Sequence, residues 1–219
     1  MLRRLPLFVA AFAVVAALFS SPASAGEAAL TVRGGDVLYS SGGTRCRVGF
    51  NAHNSTTDFG LMTGHCVTTG TTWYLDTART QPVATSAGSS FPGNDYGVVR
   101  YFDTVSAPSV IAAGGTTYPI TSARNPVVGE QICVPSLAGG LRCGRVTAVN
   151  VTVNYGGGTV SGLFSANVCM EIGDVAGPGF SGTAALGIIS GGSGNCTTGG
   201  TTYFQPVVEI LSVYGLSVG

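Results

Sequence analysis

The sequence predicts an all-β protein, and three observations carry that prediction. The 219-residue chain contains 34 Gly, which together with its many Thr, Ser and Val disfavours long helices. Hydrophobic residues make up 45% and charged residues 9% at zero formal net charge, a balance that builds a packed core and excludes a disordered segment. Short alternating or β-branched runs recur between turn signals along the whole chain. All ten basic residues are Arg, with no basic run at either terminus. Neither nucleic acid nor an anionic membrane is therefore an expected partner.

The N-terminus bears on where the fold starts. Arg3 and Arg4 precede the apolar run Leu5 to Phe19, and Ala23-Ser24-Ala25 is a small-residue cleavage pattern. Residues 1–25 are predicted to be a signal peptide, which makes the protein secreted and extracellular. Six cysteines in an exported chain point to three disulfides. Sequence alone allows fifteen pairings, of which local spacing favours Cys46 with Cys66, Cys133 with Cys143, and Cys169 with Cys196. With no CxxC pair and only two His, no metal site and no cofactor is expected.

Strands are predicted in order at Thr44 to Phe50, Phe59 to Met62, Thr72 to Leu75, Pro82 to Ala84, Tyr96 to Tyr101, Gln131 to Val134, Leu141 to Val151, Ser165 to Cys169, Thr183 to Ser190 and Thr201 to Gln205. So many short strands imply a sandwich or barrels. Gly156-Gly157-Gly158 lacks the Lys and helix of a phosphate loop and reads as a hairpin turn. Pro206 followed by Val207, Val208, Leu211 and Tyr214 has helical spacing, so a terminal helix is expected. His53 reads as a solvated loop residue and Trp73 as core packing.

Two segments carry candidate chemistry. Thr63-Gly64-His65-Cys66 places a histidine at the end of an apolar strand, and Asn94-Asp95-Tyr96-Gly97 places an acid before Val98 and Val99. An acid that holds a histidine in one tautomer makes it a general base. By themselves, however, a lone histidine near a disulfide and an Asp in a Gly-rich turn fit structural roles as well.

Several motifs together decide between these readings. Gly34-Gly35-Asp36 with Tyr39-Ser40-Ser41, Thr63-Gly64-His65-Cys66, Ser89-Ser90-Phe91-Pro92 running into Asn94-Asp95-Tyr96-Gly97, Val153 to Gly158, and Ser190-Gly191-Gly192-Ser193-Gly194-Asn195-Cys196 resemble the streptogrisin group of trypsin-like serine proteases in the chymotrypsin family. The resemblance runs from about Val32 to the C-terminus. It implies two six-stranded antiparallel β-barrels with a short C-terminal helix, residues 26–116 forming the first barrel with His65 and Asp95, and residues 117–219 the second with the oxyanion loop and specificity pocket. It makes His65 the general base, Asp95 its orienting acid, and Ser190, Gly191 and Gly192 the strand that binds an extended substrate. It assigns Glu171 to the rim of the specificity pocket and supports the three local disulfides.

The nucleophile departs from the family. Gly179-Phe180-Ser181-Gly182 imitates a Gly-x-Ser-Gly motif, but Cys169 to Pro178 aligns without a gap on the family's Cys-x-Glu-Pro-Gly-Asp-Ser-Gly-Gly-Pro stretch. The catalytic serine position is then Val175, which cannot form an acyl-enzyme. Gly173 and Val175 would supply the oxyanion hole. Val134 stands where many relatives place an Arg that pairs with the Asp corresponding to Asp174, Ala176 replaces a Gly, and Thr63 replaces an Ala. The expected protein is a monomeric pseudoprotease whose partners are an extended peptide or protein strand and, as a decoy target, a protease inhibitor. The alternative is an active endopeptidase cleaving after large apolar residues, with Ser181 as nucleophile or by a weak water route.

Overall fold

A computed structural model of the chain describes residues 29–171 and 176–219. The expected signal peptide and the positions Gly173, Asp174 and Val175 lie outside the described residues.

Nine strands come from the first half: β1 (Leu30–Thr31), β2 (Val37–Ser40), β3 (Arg45–Arg47), β4 (Phe50–His53), β5 (Asp58–Met62), β6 (Thr72–Tyr74), β7 (Pro82–Ser90), β8 (Tyr96–Tyr101) and β9 (Val105–Ser106). Seven of them are hydrogen-bonded in the order β3-β2-β6-β7-β8-β5-β4, every pairing antiparallel. Only Val48 and Gly49 separate β3 from β4, so the two ends of that order are one bent strand. The sheet thereby closes as a six-stranded barrel and leaves no free edge.

The second half contributes β10 (Val110–Ala113), β11 (Thr116–Pro119), β12 (Ser122–Ala123), β13 (Gln131–Pro135), β14 (Leu141–Tyr155), β15 (Gly158–Ala166), β16 (Pro178–Ser181), β17 (Ala184–Asn195), β18 (Gly199–Pro206) and the helix α1 (Val207–Tyr214). β10 and β11 form a separate hairpin, and β12 adds in parallel to β17. The order β17-β16-β13-β14-β15-β18 closes through a further pairing of β17 with β18, again six antiparallel strands.

Side-chain alternation along the strands sorts the apolar residues into three cores. Met62, Trp73 and Val99 fill the first barrel, and Ile132, Phe164, Leu186 and Phe204 fill the second. Their strand neighbours Leu61 and Val98 point the other way, to meet Phe180, Ile188 and, from α1, Ile210 in a third cluster between the barrels. The barrels are thus joined by a continuous apolar seam. Polar links cross it as well: the Arg47 guanidinium donates to the Pro135 carbonyl at 3.0 Å.

Sequence and structure diverge mainly where glycine and serine obscure the pattern. The strand expected at Ser165 to Cys169 runs instead over Gly158–Ala166, β7 continues past Ala84 to Ser90, and β14 extends to Tyr155. Tyr155 pairs with Gly158, so Gly156 and Gly157 form the tip of a hairpin. β2, β10 and β11 have no counterpart in the sequence reading. His53 is corrected: it ends β4 opposite Asp58, and its Nε2 lies 3.3 Å from the Ser217 hydroxyl. It reads as a loop residue because Asn51 lies within its strand and Asn54 follows it, yet cross-strand pairing takes it into the sheet.

The three disulfides are Cys46–Cys66, Cys133–Cys143 and Cys169–Cys196. The first ties β3 to the turn that carries His65. Replacing Cys46 and Cys66 together by Ala is expected to lower the unfolding free energy by about 3 kcal/mol, through the added freedom of the unfolded chain. Urea denaturation of the double variant measures that loss.

Candidate active site

A single 3-10 turn, Gly64–Cys66, presents His65 at the end of β5. A side chain at Gly64 would put its Cβ 2.6 Å from the Ser90 carbonyl oxygen and 2.7 Å from the Tyr96 nitrogen. Only glycine lets this turn lie against the segment bearing Asp95. Ser89 adds a hydroxyl bond to the Gly64 carbonyl at 2.9 Å.

His65 Nδ1 lies 3.0 Å from Asp95 Oδ2 and 3.1 Å from Oδ1, and the His65 backbone N–H donates to Oδ1 at 2.9 Å. From the second barrel, the Ser190 hydroxyl donates to Oδ2 at 2.6 Å. The Asp95 side chain is fully buried, whereas that of His65 is 41% exposed. Converging donors offset the cost of burying the carboxylate. With Nδ1–H turned to Asp95, Nε2 carries the lone pair and faces outward, the form a general base requires. The Phe91 ring borders the imidazole edge-on at 5.8 Å.

The second barrel supplies the strand beside this pair. Thr63, next to the His65 turn, donates its hydroxyl to the Ile189 carbonyl at 3.1 Å across the seam. The Ile189 N–H in turn reaches the Gly177 carbonyl at 3.0 Å. Gly177 follows position 175 by two residues. Ser181 is elsewhere: it pairs with Ala184, the first residue of β17, six residues before Ser190, or about 20 Å at strand rise.

Ser190, Gly191 and Gly192 continue β17, and the Tyr155 ring covers Gly191, where a Cβ would come within 2.9 Å of it. Burial pushes the Tyr155 phenol up, the Asp95 charge and Tyr203 adding to the effect while Ser190 opposes it. Glu171 accepts the Cys196 N–H at 3.2 Å, beside the Cys169–Cys196 bridge. Gly173 and Val175 lie outside the described residues. Among the described residues no group of three or more His, Cys, Asp or Glu is placed to hold a metal ion.

The placement of Arg47 beside Gly177 has no signal in the sequence. Val134 is buried in the second core with Ile132 and Phe164, while a different arginine, Arg47, is buried beside Gly177, where a Cβ would sit 3.0 Å from its Cδ. A positive charge therefore enters the seam from β3, a strand that local pattern gives no reason to associate with this loop. Ala176, buried, holds a left-handed φ of 64°. An alanine pays a steric cost there that glycine does not. Ala176→Gly is expected to stabilise the protein by about 1 kcal/mol, read as a raised urea midpoint.

No protein-family model matches the chain. Serine protease 2 of Streptomyces fradiae is 47% identical over 174 residues, which cover 78% of this chain and all of that relative. The chain belongs to the bacterial trypsin-like serine proteases. Streptogrisin-A of Streptomyces griseus is 43% identical over 85% of the chain, and the match spans 61% of that longer relative. Streptogrisin-D of the same organism is 42% identical, with half of its length spanned. Among solved structures, the chain is matched by an alpha-lytic protease homologue, N4, at a TM-score of 0.79 and 46% identity over 86% of this chain and all of that one. A glutamic-acid-specific serine protease matches at a TM-score of 0.80 and 40% identity, over 86% of this chain and all of that one.

Proposed function

We propose that this member of the family is a secreted, monomeric pseudoprotease, which binds an extended peptide or inhibitor strand and does not cleave it. The observation that carries the reading is the separation of the two halves of the machinery. His65 and Asp95 stand assembled, with Ser190 on the carboxylate, while Ser181, at the end of β16, pairs with Ala184, about six strand residues from Ser190 along β17. The sequence register meanwhile gives the nucleophile position to Val175. A hydrocarbon there supplies no oxygen to attack a carbonyl.

Binding needs fewer parts than cleavage. Ser190 to Gly192 offers backbone groups to an incoming strand, and strand addition draws its affinity from main-chain hydrogen bonds and its selectivity from side-chain pockets. Glu171, beside the Cys169–Cys196 bridge, is read as the rim of the pocket expected to take a large apolar side chain. In this reading His65 and Asp95 persist as part of the wall of that cleft. Three disulfides and the export pattern of residues 1–25 support an extracellular setting.

Isothermal titration with extended apolar peptides and with a protein inhibitor of serine proteases tests the proposal. Saturable binding, with no cleaved peptide by mass spectrometry, is the expected result. Absence of heat with both ligand classes would remove the binding function.

A further inference from the structure

The machinery contains a clamp behind Asp95 that belongs to neither the catalytic pair nor the substrate strand. The Asp95 backbone N–H donates to Gln205 Oε1 at 2.9 Å, and Gln205 Nε2 donates to Glu209 Oε2 at 2.8 Å. Gln205 has no exposed surface. It sits on β18 opposite Ile188 of β17, so it reaches Asp95 from the same barrel as Ser190 but from the next strand. Glu209 lies in the first turn of α1, a position that favours an acid.

The chemistry of the amide makes the order of these three groups compulsory. A Gln side chain has one accepting end and one donating end. A carboxylate at Glu209 accepts only, so it draws the NH₂ end and turns the oxygen toward Asp95. Without Glu209, nothing in this chain of bonds prevents the opposite orientation, in which two donors would face each other at the Asp95 N–H. A buried N–H so opposed would move, and the carboxylate that holds His65 Nδ1 would move with it.

We propose that Gln205 and Glu209 are positioning residues for Asp95: Glu209 fixes the Gln205 amide, and Gln205 fixes the backbone from which the Asp95 carboxylate meets His65. The inference concerns the His–Asp pair and is independent of what stands at position 175. It can hold or fail whether or not the chain cleaves peptides.

The test uses the wild-type disulfide-bonded protein and proton NMR of the His65 Nδ1–H that faces Asp95, observed with isotope-labelled histidine and told apart from His53 with a His53→Asn variant. Glu209→Ala is expected to move this signal upfield or to lose it to solvent exchange, as the carboxylate that accepts the N–H loses alignment. Glu209→Gln keeps an accepting oxygen and should restore the signal. Gln205→Met, which keeps volume and removes both amide groups, should reproduce the change and carries the test if Glu209→Ala fails to fold. An unchanged Nδ1–H signal in the folded variants would overturn the proposal. So would equal changes in Glu209→Ala and Glu209→Gln, since the helix-terminal charge alone would then be responsible.

Discussion

If the proposed pseudoprotease reading holds, Val175→Ser is expected to confer peptidase activity that the wild type does not show. Loss of the nucleophile from a serine protease costs roughly 10⁶ in turnover, so returning a hydroxyl to the position that the sequence register gives to the nucleophile has a large range to recover. The gain is expected to reach about 10³-fold or more over the wild type and to stop short of the full amount. Two departures limit it: Ala176 keeps its left-handed φ of 64° immediately after the restored serine, and Val134 remains apolar within the second core. Adding Ala176→Gly to Val175→Ser should therefore raise the rate further. Initial rates on a chromogenic peptide with a large apolar residue before the scissile bond measure both steps.

The second large effect is on the acid. In the Val175→Ser background, Asp95→Asn is expected to lower kcat by about 10⁴-fold, because an amide no longer stabilises the imidazolium and its NH₂ end favours the wrong tautomer. The geometry gives the reason: His65 Nδ1, the His65 N–H and the Ser190 hydroxyl all converge on the Asp95 carboxylate. An Asn in that place accepts at one end and donates at the other, so one donor is left opposed. A fall in kcat with little change in KM is the expected pattern, since the peptide binding proposed along Ser190 to Gly192 does not require the proton transfer. An equal loss in KM would point instead to collapse of the cleft.

Much of this fold is legible in the sequence because barrel strands alternate. Leu61 with Met62 and Val98 with Val99 divide between seam and barrel interior, and Pro206 marks the start of α1 with Gly215 in left-handed conformation at its end. Where glycine and serine replace the branched residues, as in β7 and β15, the pattern fades and the strands are fixed by pairing across the sheet. The candidate site divides in the same way. His65 and Asp95 are conspicuous because the chain has only two histidines and its motifs resemble a known family. Arg47, Gln205 and Glu209 are not, because their significance comes from contacts that join residues up to 110 positions apart. No local spacing encodes a guanidinium beside Gly177 or an amide behind Asp95.

The central claim is that this chain holds a base and its acid without an oxygen nucleophile to serve. Incubation of the unmodified protein with a fluorophosphonate, followed by intact-mass analysis, tests it most directly. No adduct on the wild type, and one adduct on Val175→Ser that His65→Ala abolishes, is the result this account predicts. An adduct on the wild type that disappears in Ser181→Ala would contradict it.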